Sequence, residues 1–114
     1  MRRARGLSKH RRAVDAFAID FGWRLNDDES LTGNPTVGVA RRNGAAWGDV
    51  TAEFHVSSES LLQTSVQFAL GEAAEGEQDA GDYHLLVEVD TDQDRHLVST
   101  HLLEVRETAD PGAP

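Results

Sequence analysis

A chain of 114 residues without cysteine is long enough for one domain with short tails, and it excludes a disulfide scaffold, thiol catalysis and cysteine-ligated zinc. No apolar run approaches the ~18 residues of a membrane span, and no apolar segment follows the basic start, so neither membrane insertion nor a secretory leader is expected. The charges are sorted by position: Arg2, Arg3, Arg5, Lys9, Arg11 and Arg12 make six of the eleven basic residues, with no acid among them, and the remaining body sets five against all twenty acids. Such a body repels phosphate, which disfavours nucleic acid as a partner. One Lys against ten Arg beside this acid excess fits a surface kept hydrated at high salt, and hence a halophilic source.

Residues 1–13 read as a polar, basic arm without hydrophobic period. Phe17, Ile19, Phe21, Trp23 and Leu25 then take consecutive odd positions, the period of two that marks a half-buried strand. Asn26 to Ser30 is an acidic turn. Leu31-Thr32 and Gly33-Asn34-Pro35 lead to a second strand at Thr36–Ala40, with Pro35 where no ladder donor is needed. Arg41-Arg42-Asn43-Gly44 carries an Asn-Gly hairpin signal. Trp47–Val56 reads as a third strand region, with Val50, Phe54 and Val56 on one side.

Ser57 to Ser60 reads as a loop and Leu61–Leu70 as a fourth strand region, with Val66, Phe68 and Leu70 sharing a face. Gly71 to Asp82 is a soft, Gly- and acid-rich stretch expected to be a long loop. Tyr83, Leu85, Val87 and Val89 alternate again. Asp90 to Arg95 is a polar turn, and Leu97–Val105 a last strand whose paired apolar residues predict a bulge or burial on both faces. Six or seven short strands with regular turn signals predict an all-β sandwich over residues 14–107, followed by a tail at 108–114. Gly81-Asp82-Tyr83 resembles a tyrosine corner, in which the hydroxyl bonds back to preceding backbone. The inner faces are expected to hold Ile19, Phe21, Trp23, Val37, Val39, Phe54, Val66, Phe68, Tyr83, Leu85, Val87 and Leu102.

Catalytic chemistry has no assembled motif behind it: there is no G-x-S-x-G, no P-loop and no G-x-G-x-x-G. Asp90, Asp92 and Asp94 form a D-x-D-x-D run that could offer oxygens to calcium, but the EF-hand positions for Gly and Glu hold Arg95 and His101. A solvated acidic turn is therefore the expected reading. His84 and His101 lie on two strands expected to pair and could come close, yet with His55 and His96 they show no zinc spacing. Neither a cofactor nor a metal is expected, and the protein is not expected to be an enzyme.

Residues 14–105 resemble the fibre–tail adaptor family of tailed phages, immunoglobulin-like structural proteins of the virion. The likeness rests on Ala16-Phe17-Ala18-Ile19-Asp20-Phe21-Gly22-Trp23-Arg24-Leu25, the acidic Asp27–Thr32 step, the Thr36–Val39 strand, and the order Val66–Leu70, Gly71–Gly81 loop, Tyr83–Val89, Leu97–Val105. The Gly71–Gly81 loop and the basic arm depart from the family pattern. The resemblance implies an immunoglobulin-like sandwich and a non-enzymatic virion subunit, assembled in the host cytoplasm. Its partners would be neck, tail or fibre proteins, and further copies in a homo-oligomeric ring. Arg2, Arg3, Arg5, Lys9, Arg11 and Arg12 are the expected docking residues, and deletion of residues 2–12 is expected to leave a folded domain. A capsid decoration or turret protein, or a soluble ligand-binding sandwich, are the rival expectations.

Overall fold

In the computed structural model, which describes residues 7–43 and 46–107, eight strands form two sheets. They are β1 (Leu7–His10), β2 (Asp15–Asp20), β3 (Leu31–Asn43), β4 (Ala46–Asp49), β5 (Ser57–Leu62), β6 (Ser65–Leu70), β7 (Gly81–Thr91) and β8 (His96–Arg106). The larger sheet runs β1-β8-β7-β3-β4 and the smaller β2-β6-β5. Neighbours are antiparallel except β1, which lies parallel to the last strand, Leu7 opposite Leu103 and Lys9 opposite Val105.

Period-two patterning decides which residues meet between the sheets. Ile19 of β2, Val66, Phe68 and Leu70 of β6, Val37 and Val39 of β3, Tyr83 to Val89 at odd positions of β7, and Leu97, Leu103 and Val105 of β8 form one buried cluster. Phe54 meets Tyr83 edge-on at 5.0 Å, and Phe17 stacks on Phe68 at 5.8 Å. The arrangement is thus sandwich-like, with a single core shared by both sheets.

Two residues expected inside lie outside. Strand β2 stops at Asp20, whose carboxylate accepts from Gly22 N and from the Thr64 hydroxyl. A 3₁₀ turn over Gly22–Arg24 then breaks the alternation, so Phe21 is buried while Trp23 is 83% exposed. Leu102 is 48% exposed because β8 carries neither the bulge nor the two-sided burial expected of it: its register with β7 is unbroken from Gly81–Val105 to Asp90–His96. Odd residues of β8 therefore face inward and Leu102 faces out.

Other boundaries also shift. Residues 7–10, assigned to the arm, are a sheet strand. Leu31-Thr32 joins β3 across a register shift between Thr32 and Thr36 that contains Pro35, a position where the ladder is interrupted. The Trp47–Val56 region splits, because Asp49 accepts from the Thr51 amide and hydroxyl and starts a 3₁₀ turn over Thr51–Phe54. Ser57–Ser60 is not a loop but the solvent-facing start of edge strand β5. The Gly71–Ala80 stretch is a loop without regular structure, yet it is tied down by Gln78, whose fully buried amide donates to Glu53 O and Gly71 O.

Each end of the sandwich has its own polar fastening. At one, the Tyr83 hydroxyl donates to Asp79 O at 2.6 Å, the back-bond expected from Gly81-Asp82-Tyr83. At the other, the Glu29 carboxylate is wholly shielded from solvent and receives Arg95 Nη2 and Nε (2.5 and 2.9 Å), the Thr91 hydroxyl (2.5 Å) and Asn26 N (2.7 Å). The Arg95 hydrogen bonds, more than the others, hold the Glu29 pKa down at about 2.

Two outcomes are expected. Tyr83→Phe should lower stability by about 1–2 kcal/mol through the lost hydroxyl bond, read as a lower urea midpoint with an unchanged slope. Because Glu29 is depressed from 4.5, its contribution is fully present above that value and is lost as pH falls through about 2. The unfolding midpoint of wild type should therefore fall more steeply over that window than that of Glu29→Gln, and the two curves should converge near its lower end.

Candidate functional site

The basic residues expected to dock do not form one exposed group. Arg2, Arg3 and Arg5 lie outside the described residues. Lys9 sits on the inward side of β1, 2% exposed, with its ammonium donating to His10 O and Arg11 O at 3.0 and 3.4 Å. Burial pushes its pKa down while Asp15 and Glu72 support the charge. Arg11 bonds Glu107 at 3.2 Å and Glu77 O at 3.1 Å. Its carbonyl accepts from Ala73 N, and its amide donates to Arg106 O. Of these three described cations only Arg12 is exposed. Removing residues 2–12 would strip β1 and the Lys9 and Arg11 bonds from the sheet, so that deletion is a lesion of the fold as well as of the arm.

The acidic turn does not gather into a cation site. Asp92 accepts from Ser30 N, Asp90 bonds His96 Nδ1 at 2.7 Å, and Asp94 takes a left-handed φ of 61° in the turn. Among the described residues, no three His, Asp or Glu side chains converge to hold a metal. His84 and His101 are also separated: Leu85 pairs with His101 and His84 with Leu102, which puts the two imidazoles on opposite faces of the sheet. His101 is half-buried and bonds the Ser99 hydroxyl at 2.6 Å, whereas His84 stacks under Trp47 at 3.9 Å.

That stack marks the surface where unpaired apolar area collects. The even residues of β3, β7 and β8 all face outward and lie in rungs: Ala40–His84–Leu102, Gly38–Leu86–Thr100 and Thr36–Glu88–Val98. Leu86, Val98 and Leu102 are exposed there, and Trp47 of β4 closes one side. Gly38 and Ala40 leave a trough between them, a concavity of about 700 Å³ lined by Trp47, Leu86, Thr100 and the floor of β3. Inward Val37 and Val39 fill the core directly beneath, so the floor rests on packed side chains.

The rim is charged, with Asp82 exposed at one end of β7, and much of it is paired. His96 bridges Glu88 and Asp90 through its two ring nitrogens at 2.8 and 2.7 Å, Asp49 is held by Thr51, and Glu104 bonds Arg106. Arg42 lies 5.9 Å from the Trp47 ring, which His84 also stacks, so the indole is engaged by two neighbours. The pattern of one strand face being apolar outward as well as inward was visible only as consecutive apolar residues at Leu85-Leu86, Leu97-Val98 and Leu102-Leu103.

Hydrogen bonds to Asp90 and Glu88 raise the His96 pKa, and burial lowers that of His101. Ring-proton NMR titration should place His96 above and His101 below the usual imidazole value of about 6.5, and Asp90→Asn should move His96 down with no change at His101. No protein-family model matches the chain, and no curated protein matches it.

Proposed function

We propose that this protein is an assembly subunit: a non-enzymatic, immunoglobulin-like sandwich that works by docking, as an adaptor or connector between tail and fibres in the virion of a tailed virus. The observation that carries the docking reading is the outer face of the five-stranded sheet, where Trp47, Leu86, Val98 and Leu102 are exposed together over a rigid core. Contiguous apolar area of this kind marks interaction surfaces on soluble domains.

The immunoglobulin-like assignment is supported by strand order. The set β2-β6-β5 corresponds to strands B-E-D, and β8-β7-β3-β4 to G-F-C-C′ of that fold. Tyr83, near the start of the F-like strand and bonded to Asp79 O, occupies the tyrosine-corner position. Leu85, two residues on, stands where antibody domains place a cysteine, and its full burial supplies apolar packing instead of a disulfide. The viral setting rests on the likeness to the fibre–tail adaptor family.

The test is particle composition. Mass spectrometry of particles purified from cultures that produce the chain should find it in several copies per particle, and a map should place it at the neck or tail. Absence from washed particles, with the protein abundant in the same cells, would refute the proposal.

A further inference from the structure

We infer that β1 is a releasable strap: Leu7 to Arg11 opens from the edge of the large sheet while the two-sheet core stays closed, which bares the β8 edge and turns Lys9 and Arg11 out to solvent beside Arg12. The device is independent of the apolar outer face and of the setting in which the protein docks.

The core does not need β1. The strand is four residues long and has β8 as its one neighbour in the sheet. The buried hydrophobic cluster takes no residue from it, and Leu7 packs against that cluster only partly buried. Ile19, Val66, Phe68, Leu85 and Val87 meet through β2, β6 and β7, and keep those contacts when β1 leaves. Arg12 to Val14 joins β1 to β2 in the other sheet; Arg12 and Val14 are exposed, and Ala13 N bonds His10 O, so the connection can act as a hinge. The Gly71–Ala80 loop beside the strap has its own anchor, the Gln78 amide on Glu53 O and Gly71 O.

The closed position carries two electrostatic costs. Lys9, the one lysine of the chain, faces inward with its ammonium against the carbonyls of His10 and Arg11. Among the described residues no carboxylate forms an ion pair with it, and Asp15 and Glu72 act on it from further off, so burial dominates and lowers its pKa. Its two acceptors do not depend on it either: His10 O also takes Ala13 N, and Arg11 O also takes Ala73 N. Arg11 Nε is the second cost, buried without a hydrogen bond. An ammonium out of water without a counter-charge and an unpaired N–H both destabilise the state that hides them. Against them stand the ladder to β8, with Arg11 N on Arg106 O at 2.8 Å, and the Arg11–Glu107 pair, which is largely exposed on the Glu107 side. A segment so balanced opens locally, at a free energy well below that of global unfolding. Once open it leaves the backbone of Leu103 to Arg106 available for strand addition.

Hydrogen exchange of the full chain, followed by mass spectrometry, tests this. The amides of Ser8 to Arg11 should exchange at least about a hundredfold faster than those of Val66–Phe68 and Leu85–Val87, at a rate that low urea leaves unchanged. Lys9→Met should slow their exchange at least about tenfold, because the strap then closes without burying a charge; a lysine that serves to hold the strand would give the opposite sign. The single lysine supplies a second reading: acetylation of Lys9 by an N-hydroxysuccinimide ester should proceed without denaturant while circular dichroism stays unchanged. Exchange at Ser8 to Arg11 and acetylation of Lys9 that rise only in step with global unfolding in urea would overturn the inference, as would a folded Lys9→Met variant whose β1 exchanges faster. If that variant does not fold, the two wild-type measurements decide.

Discussion

A buried carboxylate must be answered or the fold cannot afford it, and Glu29 is the residue on which this requirement bears hardest. Its side chain is closed off from solvent and filled on both oxygens by Arg95, Thr91 and Asn26. Those partners belong to two separate turns. One links β2 to β3 and therefore joins the two sheets; the other joins β7 to β8. Arg95 reaches further, to Arg24 O, and Asp92 and Ser30 exchange hydrogen bonds across the same gap. The two turns at this end are thus held by this ion pair together with the Ser30–Asp92 exchange and the Arg95–Arg24 bond, and losing Arg95 would leave the shielded Glu29 carboxylate without its cation. The opposite end is fastened in part by neutral groups, the Gln78 amide and the Tyr83 hydroxyl.

Between these fastenings the architecture follows from alternation, and that part was legible in the residues. Ten of the twelve side chains expected inside, from Ile19 to Val87, are buried; eight lie on strands, where periodicity assigns faces without reference to partners, while Phe21 and Phe54 are buried at 3₁₀ turns. Trp23 and Leu102 escaped for different reasons. At Trp23 the odd-position rule was carried past the strand's end, which a local bond from Asp20 to Gly22 N decides. At Leu102 the adjacent leucines suggest a bulge or burial on both faces, whereas the strand is regular and Leu102 lies exposed on its outer side.

Charge was the less readable property. A run of basic residues looks solvated whatever its fate, yet Lys9 ends up buried because β1 must alternate like any other strand, and its stem packs where an apolar residue would. Glu29 sat unremarked in an acidic turn for the mirror reason: only its pairing with a residue 66 positions away distinguishes it from Asp27 and Asp28, which are exposed. The exposed apolar face was hidden likewise, since its rungs join the β7–β8 hairpin to β3, which lies much earlier in the chain.

The parallel pairing of β1 with β8 gives the molecule a mechanical direction. The chain enters β1 beside Leu103 and leaves β8 beyond Arg106, so tension applied along the chain on either side of the domain pulls the two strands past each other along their own axes. The hydrogen bonds between them are then strained together instead of parting one after another as in a peeled hairpin. The edge of the large sheet is therefore built as a shear joint.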